Sequence, residues 1–182
     1  LSLNSEMVGF LKVTGTAINY PVVKGSDNSF YLSHGFDRKE NVSGAIYLDY
    51  RNDLDNLSRN NIIYGHGRVD GTMFGSLNNL LEKEWFNNED NHFIKVTTPY
   101  NKMIFEIFSV YLIPKESYYL TTYFTSDEYF AKFLTEITTR SIYNFNSSVD
   151  VKDKILTLST CKNNFGMRLV VHAKLIKKEE TS

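Results

Sequence analysis

The chain has 182 residues, 42% of them hydrophobic, which is enough to bury one substantial core and excludes an intrinsically disordered protein. Lys and Arg total 20 against 21 Asp and Glu, a formal net charge of −1, so no bulk field draws the chain towards nucleic acid or anionic lipid. The single cysteine, Cys161, excludes an internal disulfide and cannot by itself supply a structural zinc site.

Aromatic residues make up 14% of the chain and there are only three Pro, a composition suited to half-buried strand faces. No run reaches the roughly 18 apolar residues of a membrane span, and Leu1 to Ser5 lack the charged-then-apolar layout of a signal peptide. The chain reads as soluble, and its start at Leu1 without Met reads as a fragment or processed form. In chain order, Val8 to Val13, Thr16 to Val23, Ala45 to Leu48 and Ile62 to Tyr64 are short β-branched or aromatic segments between Gly, Asn, Asp and Ser clusters, the pattern of strands. Met73, Leu77, Leu80 and Leu81 recur at helical spacing and predict a short helix over Thr72 to Leu81, with Thr72 as N-cap. His92 to Thr98 and Lys102 to Val110 read as two strands around a Pro99-Tyr100-Asn101 turn.

Phe130, Phe133, Leu134 and Ile137 follow Ser126-Asp127-Glu128 at i, i+3, i+4 and i+7, which predicts a helix from Ser126 to Arg140. Ile155 to Thr160 and Arg168 to Ile176 read as the last two strands, and the charged tail Lys177 to Ser182 is expected to fray. With no repeat, low-complexity tract or linker, about eight strands and two or three inserted helices predict one domain, 1–182, built as a mostly antiparallel β-barrel.

The period of two along the penultimate strand puts Thr157, Ser159 and Cys161 on one face and Leu156 and Leu158 on the other, which places Cys161 at a strand end on the more polar side. A thiol with a reference pKa of about 8.5 needs a nearby cation or base to act as a nucleophile. Arg168 opens the following strand and could return close to Cys161 if the two strands are antiparallel neighbours. Inert packing for Cys161 and a surface ion pair for Arg168 stand beside that reading. Of the four histidines, His66 in Tyr64-Gly65-His66-Gly67 has the setting that exposes a ring and admits another chain. His34, His92 and His172 read as ordinary loop or strand residues. No two histidines have metal-ligand spacing, so no metal and no cofactor is implied. Asp49, Asp53 and Asp55 lack the Gly and closing Glu of a calcium loop and read as a solvated turn.

Thr157-Leu158-Ser159-Thr160-Cys161 followed by Arg168-Leu169-Val170-Val171 closely resembles the C-terminal catalytic segment of the class B sortases. Ile62-Ile63-Tyr64-Gly65-His66 with Asp70-Gly71-Thr72-Met73-Phe74 resembles the family's histidine motif. Gly15 to Val23 and Asp27 to Leu32 resemble its N-terminal strands and substrate-wall segment. The likeness spans essentially the whole chain, with one departure at Gly67, where relatives often carry Asn; this leaves the ring's hydrogen-bond partner open.

The resemblance implies an eight-stranded sortase-type β-barrel with a few peripheral helices, one of them inserted near residues 126–140. It also implies a cysteine transpeptidase that cuts a C-terminal sorting signal after Thr and joins that Thr to a peptidoglycan amine, the acceptor being peptidoglycan or its lipid-linked precursor. Carried over by position, Cys161 would be the nucleophile, His66 the general acid/base and Arg168 the third essential residue. Ser159, Asn28 and Leu32 would line the sorting-signal groove. The family's location implies the outer face of a Gram-positive cell membrane, with an N-terminal anchor outside these residues. A plain cysteine endopeptidase and a non-catalytic peptide-binding barrel are the alternatives.

Overall fold

A computed structural model describes residues 3–160 and 166–182 of the chain. Among them, eight strands close into a barrel: β1 (Met7–Val13), β2 (Asn19–Val23), β3 (Tyr47–Leu48), β4 (Asn60–Gly65), β5 (Phe93–Thr97), β6 (Asn101–Ile113), β7 (Ile155–Thr160) and β8 (Arg168–Glu180). The order around the barrel is β1-β2-β3-β4-β7-β8-β6-β5, closed by the pairing of β5 with β1. Only β2 with β3 and β4 with β7 run parallel; the other neighbours are antiparallel. Two α-helices, α1 (Lys83–Asn87) and α2 (Asp127–Thr139), lie in the connections. No helix among the described residues is long and apolar enough to cross a membrane.

Alternation along each strand builds the core. Leu11, Val22, Ile63, Val96, Phe105, Leu156, Leu158 and Val171 fill the barrel interior. A second apolar layer lies outside the barrel, where α2 packs Phe130, Phe133, Leu134 and Ile137 against Phe108, Tyr111, Tyr119 and Val170. Each such side chain contributes about 1.5–3 kcal/mol when taken fully out of water. Ser126 caps α2, its hydroxyl accepting from the Tyr129 N–H at 3.0 Å. A third cluster joins Tyr31, Tyr47, Ile62 and Tyr64 on the outer side of β2, β3 and β4.

The structure differs from the sequence expectations in four places. The helix expected over Thr72 to Leu81 is a 3₁₀ helix confined to Gly75–Leu81. Thr72 does not cap it: its N–H and hydroxyl donate back to the Asp70 carboxylate, Met73 stands at φ 53, which a right-handed helix does not accommodate, and the capping position falls to Phe74. The strand expected from Thr16 begins only at Asn19, because Thr16 turns the chain, its hydroxyl donating to the Val13 carbonyl. The tail does not fray at Lys177: β8 continues to Glu180, with Lys177 to Glu180 paired against Ile104 to Asn101. Its charges reflect exposed side chains on a backbone laddered along one edge to β6. Asp49, finally, is buried rather than part of a solvated turn.

Candidate active site

β4 and β7 lie side by side and parallel, with Tyr64 opposite Ser159 and Gly65 opposite Thr160, so both strands end at the same rim of the barrel. β8 runs antiparallel to β7 and starts at that rim with Arg168. A cavity of ≈ 520 Å³ opens there, lined by Asn28, Leu32, Tyr47, Tyr64, His66, Leu120, Ser159, Thr160 and Arg168. Five of the six expected site residues, His66, Arg168, Ser159, Asn28 and Leu32, therefore share one wall. The sixth, Cys161, follows Thr160 in the chain and lies outside the described residues.

His66 is placed by close backbone approach. A Cβ on Gly65 would come within 2.5 Å of Ile46 and 2.7 Å of Phe74, so only glycine lets the chain enter the site at that angle. The His66 carbonyl accepts from the Phe74 N–H at 2.8 Å, and the ring Nε2 lies 2.6 Å from the Leu32 carbonyl oxygen. A carbonyl can only accept, so Nε2 carries the hydrogen and the neutral ring keeps its lone pair on Nδ1. The ring's partner, left open by Gly67, is thus supplied by the Phe30–Leu32 3₁₀ turn, which is distant in sequence. That turn is held by Asp27, whose carboxylate accepts from the N–H groups of Phe30 and Ser29; these bonds lower its pKa. Gly44, at φ +61, packs on the other side: a Cβ there would meet the Tyr31 carbonyl at 2.5 Å and the His66 ring at 2.9 Å.

Arg168 donates from Nη1 to the Tyr119 hydroxyl at 3.3 Å, and that hydroxyl lies 2.8 Å from Ser159 Oγ. Tyr119, wholly buried, thereby links a guanidinium on β8 to a hydroxyl on β7. Next to it the Leu169 N–H donates to Thr160 Oγ1 at 2.9 Å, which extends the contact between β7 and β8 to the rim. The polar face expected for β7 exists but is closed off from bulk water over its described length: Thr157 and Ser159 are both buried.

The other histidines are engaged elsewhere. His34 Nδ1 lies 2.9 Å from the Phe30 carbonyl with its ring stacked on Phe30, and His92 Nε2 lies 2.8 Å from the Phe86 carbonyl. His172 is fully buried between Tyr111, 2.7 Å from Nε2, and Thr157, 2.8 Å from Nδ1. Burial pushes its pKa down to about 3.

Behind the cavity wall lies a group whose sequence neighbours suggest only a solvated turn. Asp49 accepts from the Tyr64 hydroxyl at 2.8 Å, from Asn28 Nδ2 at 3.0 Å and from Arg51 through Nε and Nη2, both at 2.8 Å. Burial acts to raise its pKa, but the Arg51 and Tyr64 bonds outweigh that and hold it below the usual carboxylate range. The Tyr64 phenol is pushed well above its ordinary range, by burial first and then by the Asp49 charge. Tyr64 was legible in principle, since it stands two residues before His66 at the end of a strand. Tyr119, Leu120 and Arg51 carry no local signal. Among the described residues no group of three His, Cys, Asp or Glu side chains could hold a metal ion.

A family model described as a sortase domain matches residues 11–176. Sortase B of Staphylococcus aureus is 38% identical over 178 residues, covering 96% of this chain and 72% of that protein. The structure of a Staphylococcus aureus sortase B-substrate complex superposes with a TM-score of 0.89 at 38% identity, covering 97% of this chain and 82% of that one. A sortase B complexed with triglycine superposes with a TM-score of 0.90 at 38% identity over 97% and 83% of the two chains.

Proposed function

The chain belongs to the sortase family, as a cysteine transpeptidase of the sortase B type, and we propose that it cleaves a C-terminal sorting signal after Thr and transfers the new acyl end to a peptidoglycan amine. The observation that carries this reading is the meeting of His66, Arg168, Ser159, Asn28 and Leu32 in one cavity at the rim where β7 ends, one residue before Cys161. The known complexes of relatives, one with a substrate and one with triglycine, support a peptide donor and an amine acceptor.

In this mechanism the Cys161 thiolate attacks the Thr carbonyl carbon, and the carbonyl electrons move onto its oxygen. The Arg168 guanidinium, braced by Tyr119, supplies permanent positive charge for that oxyanion. His66, tethered through Nε2 to the Leu32 carbonyl, works through Nδ1. As imidazolium it protonates the leaving amine, and the carbonyl re-forms as a thioester on Cys161. As imidazole it then takes a proton from the incoming amine, which attacks the thioester and expels the thiolate. Residues 1–182 act as one catalytic unit, and the setting is the outer face of a Gram-positive membrane, with an N-terminal anchor outside these residues.

The test is a peptide library with Thr fixed at the cleavage position, incubated with the chain with and without oligoglycine or a diaminopimelate peptide. Cleavage after Thr, amine-dependent adducts, and complete loss of both in Cys161→Ala with the fold retained are the expected results. Full activity in Cys161→Ala overturns the reading, and cleavage whose products and rate ignore every amine reduces it to hydrolysis alone.

A further inference from the structure

Asp49 has no exposed surface, yet its carboxylate touches the cavity wall from behind at several points. Tyr64 and Asn28 both donate to Oδ2, at 2.8 and 3.0 Å. Arg51, bound to the same carboxylate, donates on to the Leu120 carbonyl at 3.0 Å. Three wall residues from three distant parts of the chain, a loop, β4 and the turn after β6, are thus tied to one buried charge.

The charge also dictates which way each wall group faces. An ionised carboxylate only accepts, so Tyr64 must direct its single O–H hydrogen at Asp49 and keeps only lone pairs for the cavity. Asn28 gives one Nδ2 hydrogen to Asp49 and accepts at Oδ1 from the Tyr50 N–H at 3.0 Å. Its amide cannot flip without breaking both bonds, and among the described residues its second Nδ2 hydrogen has no recorded partner. We propose that Asp49 is a positioning residue that sets the hydrogen-bond polarity of the substrate wall, acceptor at Tyr64 and donor at Asn28, matching a neutral peptide segment that offers one N–H and one C=O. The proposal rests on the peptide-cleaving reading above and deepens it: an anionic side chain facing Tyr64 would meet only lone pairs.

Asp49→Asn tests this, because it keeps shape and can offer an N–H where the parent accepts. With a peptide selected from the Thr-fixed library, KM should rise about tenfold, the scale of one displaced hydrogen bond, while kcat stays within about threefold. The pH profile of Cys161 alkylation should match the parent's. Tyr64→Phe should raise KM similarly, and the double variant should add little more. A folded Asp49→Asn with parental KM overturns the proposal, as does a loss confined to kcat with a shifted alkylation profile. If Asp49→Asn does not fold, parental KM in Tyr64→Phe overturns it instead. If the parent cleaves no library peptide, the functional reading fails on its own. The Asn28 side-chain amide then decides without substrate: its NMR signals should move and exchange faster with water in Asp49→Asn, and unchanged signals overturn the proposal.

Discussion

His66 follows β4 and His172 stands on β8, the two neighbours of β7, and their rings are held in opposite ways. His66, at the rim, has one ring nitrogen bound to a backbone carbonyl, and among the described residues the other has no recorded partner; the ring lines an open cavity. His172, inside β8 and beneath α2, has both nitrogens bound and is fully buried. An imidazole can move protons where one nitrogen faces the reacting groups and its charged form is stabilised by water or a counter-charge. Burial plus two fixed partners turns the same side chain into a structural wedge. The lesson is that chemistry here depends on where a strand ends, since the rim frees what the middle of the sheet closes.

Changes at the rim should have the largest effect. His66→Ala should lower kcat/KM by about 10²- to 10⁴-fold, the usual worth of a positioned acid/base, while the melting temperature barely moves. A matching fall in melting temperature would erase the distinction between the two sites. His172→Gln should do the reverse, costing about 1–3 kcal/mol by leaving Tyr111 and Thr157 imperfectly paired, with Cys161 alkylation unaltered.

The same variant exposes a pH dependence. Above the ordinary His pKa of 6.5 the ring is neutral whether folded or not; below it the unfolded chain takes up a proton that the folded chain refuses until about pH 3. His172 stabilisation is therefore complete above pH 6.5 and falls as the pH drops towards 3, with a slope of up to about 1.4 kcal/mol per pH unit. Urea unfolding at pH 7 and pH 5 should show this slope in the parent, and His172→Gln should lack that part of it. The smallest effect is expected from Ser126→Ala, which removes the cap of α2 over the closed region and should cost about 1 kcal/mol with kinetics unchanged. A change in KM for that variant would mean that α2 also shapes the cavity.

Much of the fold was legible because alternation writes burial directly into strands. Leu156 and Leu158 point into the barrel and Thr157 and Ser159 away from it, as the period of two requires. The i, i+3, i+4, i+7 pattern of α2 with its Ser126 cap was equally plain. Local features misled where a distant partner intervened. Thr72 looked like a cap but is bound to Asp70, and Met73 breaks the helix. The charges of Lys177 to Glu180 suggested fraying, although their backbones pair with β6. Asp49 looked solvated because its neighbours in sequence are polar, whereas Tyr64 and Asn28, which bury it, come from elsewhere.

The residue types were set by the sequence alone: one cysteine after a strand, a histidine between two glycines, an arginine opening the last strand, and an apolar period sufficient to close a barrel. Only the tertiary structure decided which nitrogen of His66 meets a backbone carbonyl, which hydroxyl Arg168 donates to, and which buried charge Tyr64 and Asn28 bind. Those depend on the Leu32 carbonyl, the Tyr119 hydroxyl and the Asp49 carboxylate, each 15 to 49 residues away along the chain. Periodicity reports which face of an element is buried; hydrogen-bond partners across elements exist only once the barrel has closed.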